Sequence, residues 1–419
     1  MNLLALDAIL LYVFSIPPVM RYRILPSAGT PYWLFGILFL VLTLNLIISL
    51  YPEFWEKRLN LFKSKAALLW LTLLIVLGGV VVTAIVDRSK TAPELGVHDI
   101  ILQQEAAMRY LVEGKNPYKE TYFGTPLVNW HYDELGKPAT NPALYHFVMP
   151  PWYLLFPFSI YFMSIPLLGY FDGRMVLLVS MAGLLVVLWK WFKNRLLSAL
   201  AVTLTALSPA TIDYFIEGRS DIFALFWFVW SLFLLERKRY FWSAVIFGLA
   251  ITSKQTIWFS VPFYFLYLWL TFSSRPRKFW QYLSVTLVVL VAIVAPFLWW
   301  DAKAFLESTV FYLSGRSPTS YPVSGYGLGV VLYQAGIIKN LHSYYPFIIW
   351  QIAVGVPLLW LIGKWLIKKP AMSRLIFGYG LFLSLVWYLS RYFNNSHLAY
   401  LSSIFALGVL KDWDESQKV

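Results

Sequence analysis

His98 and Asp99 stand at the head of a short stretch, residues 100–112, that runs to Gly114. Its apolar positions Leu102, Ala106 and Tyr110 recur at four-residue spacing, which predicts a helix lying along a membrane surface on one face. A carboxylate at the N-terminal end of such a helix has two uses. It can cap the helix by accepting a free backbone N–H, or it can take the proton of a hydroxyl nucleophile held within hydrogen-bond reach. Transfer of a sugar to a hydroxyl needs one such base, and helices that exclude water from its surroundings would tune its pKa.

The segments that follow suit a carbohydrate. Gly114-Lys115-Asn116-Pro117-Tyr118, Trp130-His131-Tyr132-Asp133 and Tyr145 mix aromatic rings with hydrogen-bonding groups, matching the apolar faces and polar edges of a sugar. Any single ring among them equally suits the aromatic belt of a membrane protein. Charges then appear at the ends of apolar blocks. Glu217, Arg219 and Asp221 share one turn, Lys254 stands alone in Thr252-Ser253-Lys254-Gln255, and Arg391 opens a polar turn that closes on His397. Ionisable groups so near hydrocarbon are costly and tend to pair or to serve function. Lys254 and Arg391 are candidates to clamp a phosphate through charge-assisted hydrogen bonds, and Arg316 is a further candidate of that type. The structural alternative is that they snorkel to lipid head groups or pair with Glu217 and Asp221. Lys254 has no acid near it in sequence, which favours function for that residue.

Other chemistries lack their residues. Gly325-Tyr326-Gly327-Leu328-Gly329 follows no strand, so it is no phosphate-binding loop, and five histidines form no paired metal motif. The first outer loop holds no Asp-x-Asp pair, and no metal site is expected. Cysteine is absent, which removes disulfides, thiol nucleophiles and thiolate metal sites.

The elements that must position these groups are membrane helices. Of 419 residues, 59% are hydrophobic and 13% charged, against about 25% charged in a soluble domain. The apolar residues fall in blocks near the ~20 residues that cross a bilayer. The formal charge of +13 is gathered in short clusters such as Glu56-Lys57-Arg58, Glu236-Arg237-Lys238-Arg239 and Arg275-Pro276-Arg277-Lys278. Such clusters mark cytoplasmic loops; no folded basic domain for nucleic acid is present. With them as anchors, about twelve spans are predicted at 4–20, 31–50, 67–86, 174–193, 196–215, 220–235, 240–253, 256–272, 279–300, 344–366, 374–390 and 397–411. The first is expected to be retained as a helix rather than cleaved as a signal. Residues 149–170 carry four prolines and 325–338 are short and glycine-rich, so both are expected to be broken, re-entrant or interfacial segments. The chain is thus expected to be one all-α polytopic domain over 1–419, with outer loops at 87–148 and 301–324 and both termini inside.

The order of these motifs is similar to that of a known superfamily. His98-Asp99 opens the first outer loop, then come Gly114-x-Asn116-Pro117-Tyr118, Pro150-Pro151 with Pro157, Gly218-x-x-Asp221, and Ser253-Lys254 with Pro262. This resembles the GT-C integral-membrane glycosyltransferases, especially the polyprenyl-phosphate-mannose-dependent mannosyltransferases, over residues 67–410. The resemblance implies inverting transfer from a polyprenyl-phosphate sugar to an acceptor at the extracytoplasmic face. Asp99 would be general base, and Lys254 and Arg391 would contact the donor phosphate. His397 and Tyr400 lie where the family has a polar and aromatic motif before its last helix. The chain departs from the oligosaccharyltransferase branch in lacking Asp-x-Asp and a large soluble C-terminal domain, which weighs against a peptide acceptor held by such a domain.

The expectation is therefore a glycosyltransferase moving a sugar, mannose first, to a lipid, glycan or protein. It has Asp99 as base and His98, Tyr118, His131, Glu217, Arg219, Asp221, Lys254, Arg316, Arg391, His397 and Tyr400 around the substrates. No cofactor beyond the lipid-linked donor and no nucleic-acid partner is expected. The site should face outward from a cell membrane, or into the lumen from an ER membrane. A transporter or flippase for a lipid-linked or anionic molecule shares the intramembrane charges and broken helices. It leaves the long first loop unexplained.

Overall fold

A computed structural model of the chain describes residues 3–23, 32–58 and 60–417. It is built almost wholly of helix, with two short strand pairs at one end. Among the described residues, five helices are long and apolar enough to cross a membrane: Trp33–Leu50, Leu61–Arg88, Arg174–Trp191, Pro276–Ser314 and Phe347–Lys368. Shorter apolar helices include Leu3–Ile16, Trp152–Leu168, Arg195–Leu207, Tyr240–Ile251 and Met372–Tyr388. Each of the twelve expected segments is helical over most of its described length, position 31 lying outside the described residues. Some are interrupted: 196–215 divides into Arg195–Leu207 and Ile212–Glu217, and 256–272 opens with a 3-10 turn, Gln255–Ser260. Length and apolarity thus support an all-α membrane protein, without fixing the number of crossings at twelve.

Pro276–Ser314 measures the bilayer. Trp280, Trp299 and Trp300 are exposed on it, at 60%, 93% and 45%, and about twenty residues of helix separate the two levels. At 1.5 Å per residue that is about 30 Å, the thickness of a hydrocarbon core flanked by aromatic belts. Directly beyond the second level the helix kinks at Asp301, whose carboxylate accepts from the Ala304 N–H at 2.9 Å and restarts the helix as a cap.

The proline-rich segment corrects one expectation. Trp152–Leu168 is a single helix containing Pro157 and Pro166, not a broken one. Pro157 has no N–H for the carbonyl of Tyr153, and the side chain of Gln104 supplies that bond instead, 2.8 Å from Tyr153 O. The donor comes from the expected surface helix, present as Asp99–Val112.

A buried charge network fixes that helix to the bundle. Arg88, at the end of Leu61–Arg88, meets both oxygens of Glu105 at 2.7 and 2.9 Å and Asp172 at 2.9 Å. Asp172 also holds Arg174 at 2.8 Å, and Arg174 reaches the carbonyls of Ala84, Gly96 and Ile216. Breaking a buried pair leaves a charge uncompensated, which costs about 3–5 kcal/mol. Arg88→Met is accordingly expected to destabilise the protein by about that much, read from unfolding in detergent. Unchanged stability would show that the network holds nothing together. At the opposite end, Lys411 bridges Glu236 and Asp414 at 2.9 and 3.2 Å, tying Asn395–Ser416 to the rest of the bundle.

Candidate active site

Helix Asp99–Val112 is seated on the turn that follows Ile212–Glu217. The His98 N–H donates to Glu217 O at 2.7 Å, and Gly218 takes φ +97, where a side chain would collide with Ile101. Glycine is required for the turn to close this tightly against the loop helix. The contact brings the start of the first outer loop beside the Glu217–Asp221 turn.

Asp99 is the first residue of its helix, and its side chain is 17% exposed. One carboxylate oxygen lies 2.7 Å from His98 Nδ1, and the other accepts from Asn141 Nδ2 at 3.1 Å. His98 Nδ1 also lies 3.3 Å from the Ile100 N–H. One ring nitrogen cannot both donate and accept, and the shorter contact with a carboxylate identifies it as the donor. The cap contact to Ile100 is secondary. Burial acts to raise the Asp99 pKa, but the charge and hydrogen bond of His98, the Asn141 amide and the Arg219 charge outweigh it. They hold the carboxyl below the usual range.

Asp99 opens onto a cavity of about 470 Å³. The first outer loop adds Trp130, Tyr132, Ala143, His146, Val148 and Met149, and four further parts of the chain complete the walls: Tyr214 with Arg219–Asp221, Lys254, Tyr312 with Tyr321, Gly325 and Tyr326, and Tyr392 with Asn394–His397. A two-residue parallel strand pair, Ser324–Gly325 on Tyr392–Phe393, joins the last two. Tyr321 and Tyr392 are in ring contact at 5.1 Å, as are His98 and Trp130 at 5.8 Å. Burial and then the Asp99 charge push up the Tyr321 phenol, so this ring is a neutral donor near the carboxylate.

The cations of the cavity are differently engaged. Lys254 sits on an extended break between Tyr240–Ile251 and the 3-10 turn, and its ammonium meets Asp221 Oδ1 at 2.5 Å. The next side chain, Gln255, ties the break to Val148 O and Thr309 O at 2.7 and 3.1 Å. Arg219 stacks over Tyr214 at 4.7 Å and lies 3.6 Å from Glu217, too far for a hydrogen bond. Its Nε is buried and meets no acceptor among the described residues. Arg219 is therefore a cation in the cavity wall, held by the Tyr214 ring and by the charge of Glu217 rather than by a direct hydrogen bond from Nε.

Of the residues singled out in the sequence, His98, Asp99, Trp130, Tyr132, Arg219, Asp221, Lys254 and His397 line this cavity. Glu217 stands at its edge as the partner of Arg219. The others lie elsewhere. Arg391 is 2% exposed and gives its guanidinium to the carbonyls of Tyr321, Ser343 and Leu341. Tyr118 is buried against Phe147, Phe297 and Phe305, with its hydroxyl on Met149 O. Tyr400 is buried with its hydroxyl on that of Tyr379. His131 is 81% exposed beside Asp133, and Arg316 lies over Tyr344. Residues without a sequence signal of their own complete the walls: Tyr214, Tyr312, Tyr321, Tyr392 and His146 line the cavity, and Asn141 binds Asp99 from behind. The recurrence of tyrosine in both outer loops is the one hint that was there to read.

Beside the cavity runs an apolar groove of about 380 Å³, walled by Pro150, Ile251, Trp258, Leu290, Val294 and Leu298. Thr252 and Thr309 line it as well; Thr252 precedes the Lys254–Gln255 break and Gln255 donates to Thr309 O, so groove and cavity adjoin at this break. Much of Pro276–Ser314, which supplies its outer side, is exposed apolar surface. A further cavity, about 380 Å³, lies among Asp7, Lys65, Trp189 and Arg195, away from these loops.

Comparison with known proteins gives one match. The family model of glycosyltransferase family 87 fits residues 150–407, more than half of the chain. That stretch holds Arg219, Asp221, Lys254, the second outer loop and His397, while Asp99 and Asn141 precede it. No curated protein and no solved structure matches.

Proposed function

The chain belongs to glycosyltransferase family 87 and is a membrane glycosyltransferase, and from that premise we propose that it moves a sugar, mannose first, from a polyprenyl phosphate to a hydroxyl acceptor at the extracytoplasmic face, with inversion. Family membership answers the choice between enzyme and carrier in favour of the enzyme. One observation carries the finer reading: the Asp99 carboxylate and the Arg219 guanidinium line one cavity, and an apolar groove lies next to that cavity at the Lys254–Gln255 break. A base, an anion site and a slot for a hydrocarbon chain are what such a donor requires.

In the proposed step the acceptor oxygen attacks the anomeric carbon as its bond to the phosphate oxygen breaks. The phosphate departs with the electron pair, and Asp99 receives the hydroxyl proton. The guanidinium fork of Arg219 is suited to two phosphate oxygens at once. Phosphate is a stable leaving anion, so no strong general acid is needed. Glycosyl transfer passes through an oxocarbenium-like state, and a hydroxyl bonding to such a carbon becomes strongly acidic as the bond forms. A carboxylate of depressed pKa is then a sufficient acceptor, provided it is correctly placed.

The experiment supplies purified protein in lipid with labelled polyprenyl-phosphate-mannose, or with the matching nucleotide sugar, and a lipid extract as acceptor pool. Label is expected to leave the prenyl donor only. Transfer from the nucleotide sugar alone would overturn the donor assignment and leave the groove without an occupant.

A further inference from the structure

His146 holds the second outer loop by its side chain, although nothing in the proposed chemistry uses it. Its main chain is fixed from the first loop, where Gln103 Nε2 donates to His146 O at 2.6 Å. Its ring contacts three hydroxyls of the facing segment. Nδ1 lies 3.3 Å from Ser308 Oγ, and Nε2 lies 2.7 Å from Thr319 Oγ1 and 3.4 Å from Ser317 Oγ.

The proton positions follow from the neighbours. Ser308 spends its hydroxyl hydrogen on Tyr118 O at 3.0 Å, so it offers Nδ1 only a lone pair. Nδ1 therefore carries the ring proton and donates. Nε2 is then bare and accepts from Thr319 at the shortest of the three distances. A neutral imidazole with its proton on Nδ1 satisfies both sides, and burial opposes the charged form. Val323, Ser324 and Tyr326 anchor the later part of this loop through their N–H groups to Leu341, Arg391 and Phe393, and it is the earlier part, residues 315–322, that has few anchors of its own. Between Ser314 and Leu328 the regular structure is Ser324–Gly325, and Arg391 pins Tyr321 O from the far side. This same segment carries Tyr321, Gly325 and Tyr326 into the cavity wall, and the His146 ring packs on Tyr312 at 5.1 Å.

We infer that His146 is a positioning residue for the transfer reaction: it seats the second outer loop against the first, so that the tyrosine wall of the cavity faces Asp99 in one fixed arrangement. The inference rests on the transferase reading of this cavity, and it acts through Thr319 rather than through substrate.

The test uses His146→Ala, Thr319→Val and the double variant in the full-length protein, with two readouts. Hydrogen exchange of residues 317–326 needs no substrate. The first variant is expected to speed it about tenfold, as for a segment that has lost its tertiary anchor. In transfer assays each single variant is expected to lower kcat/KM about tenfold, and the double variant to be no worse than His146→Ala, because one interaction is lost in all three. Thr319→Val removes one hydroxyl at nearly constant volume and guards against simple misfolding. Unchanged exchange in both single variants, or losses in kcat/KM that multiply in the double variant, overturns the inference. If wild type transfers nothing from the prenyl donor, the donor assignment fails, while exchange still decides whether His146 seats the loop.

Discussion

Asp99→Asn is expected to lower sugar transfer by about 10²- to 10⁴-fold, the range for loss of a positioned general base. That corresponds to about 2.7–5.4 kcal/mol of transition-state stabilisation. Asparagine keeps the shape, and its oxygen can still accept from Asn141, so the start of helix Asp99–Val112 should survive. The lost function is proton acceptance. The check is kcat/KM at equal protein abundance, together with an unfolding curve. Equal transfer by both proteins would reduce Asp99 to the electrostatic partner of a helix start and move the search for a base to Asp133, Glu217 or Asp221.

The same carboxylate sets a pH dependence with a definite sign. Its folded pKa lies below the usual carboxylate range, because the stabilising charges and hydrogen bonds outweigh burial. Transfer should therefore be level through neutral pH and fall only in acid, as pH drops through that depressed value. The stability contributed by the ionised form is present above the unfolded pKa and lost over the same acid window. An acid limb of kcat/KM near neutrality would assign the base to another group.

Arg219→Ala is the second large effect. A preorganised donor aimed at developing charge is worth about 10²–10³ in rate, and Arg219 lines the cavity onto which Asp99 opens. The loss should appear in kcat/KM for the lipid donor. Arg219→Lys should recover part of it, since a lysine restores the charge without the two-pronged fork. Lys254→Met is a useful contrast: it strips Asp221 of its counter-charge and should cost stability as well as rate. Full activity in Arg219→Ala would place the phosphate elsewhere in the cavity.

These assignments show which features a single sequence carries. The face of the molecule was legible: basic clusters at one end of the apolar blocks left His98-Asp99, the Glu217–Asp221 turn, Lys254 and the Arg391–His397 turn at the other, and parts of all four now border one cavity. Hydrophobic block length also marked the helices. What a local pattern does not encode is how a side chain is spent. Lys254 looked unpaired because Asp221 is 33 positions away, and Arg391 looked like a free cation because the three carbonyls that take it lie 48 to 70 positions off. Arg219 reads as one of three charges in a turn, and only the packing shows its place over Tyr214 in the cavity wall. The unbroken helix at Pro157 rests on Gln104, which repairs a backbone defect from another element. Tyr118 sits in a motif, yet its ring serves the seam between the first loop and Pro276–Ser314.

The most direct measurement is the anomeric configuration of the product, determined by NMR on material made by the wild-type protein from a lipid-phosphate donor of known configuration. Asp221 is neutralised by Lys254 and Asp99 alone is proposed to act on the reacting groups, so the reaction should be a single displacement and the configuration should invert. Retention would contradict the account, because it requires a carboxylate to attack the sugar as a nucleophile, and Asp99 would then not be the base.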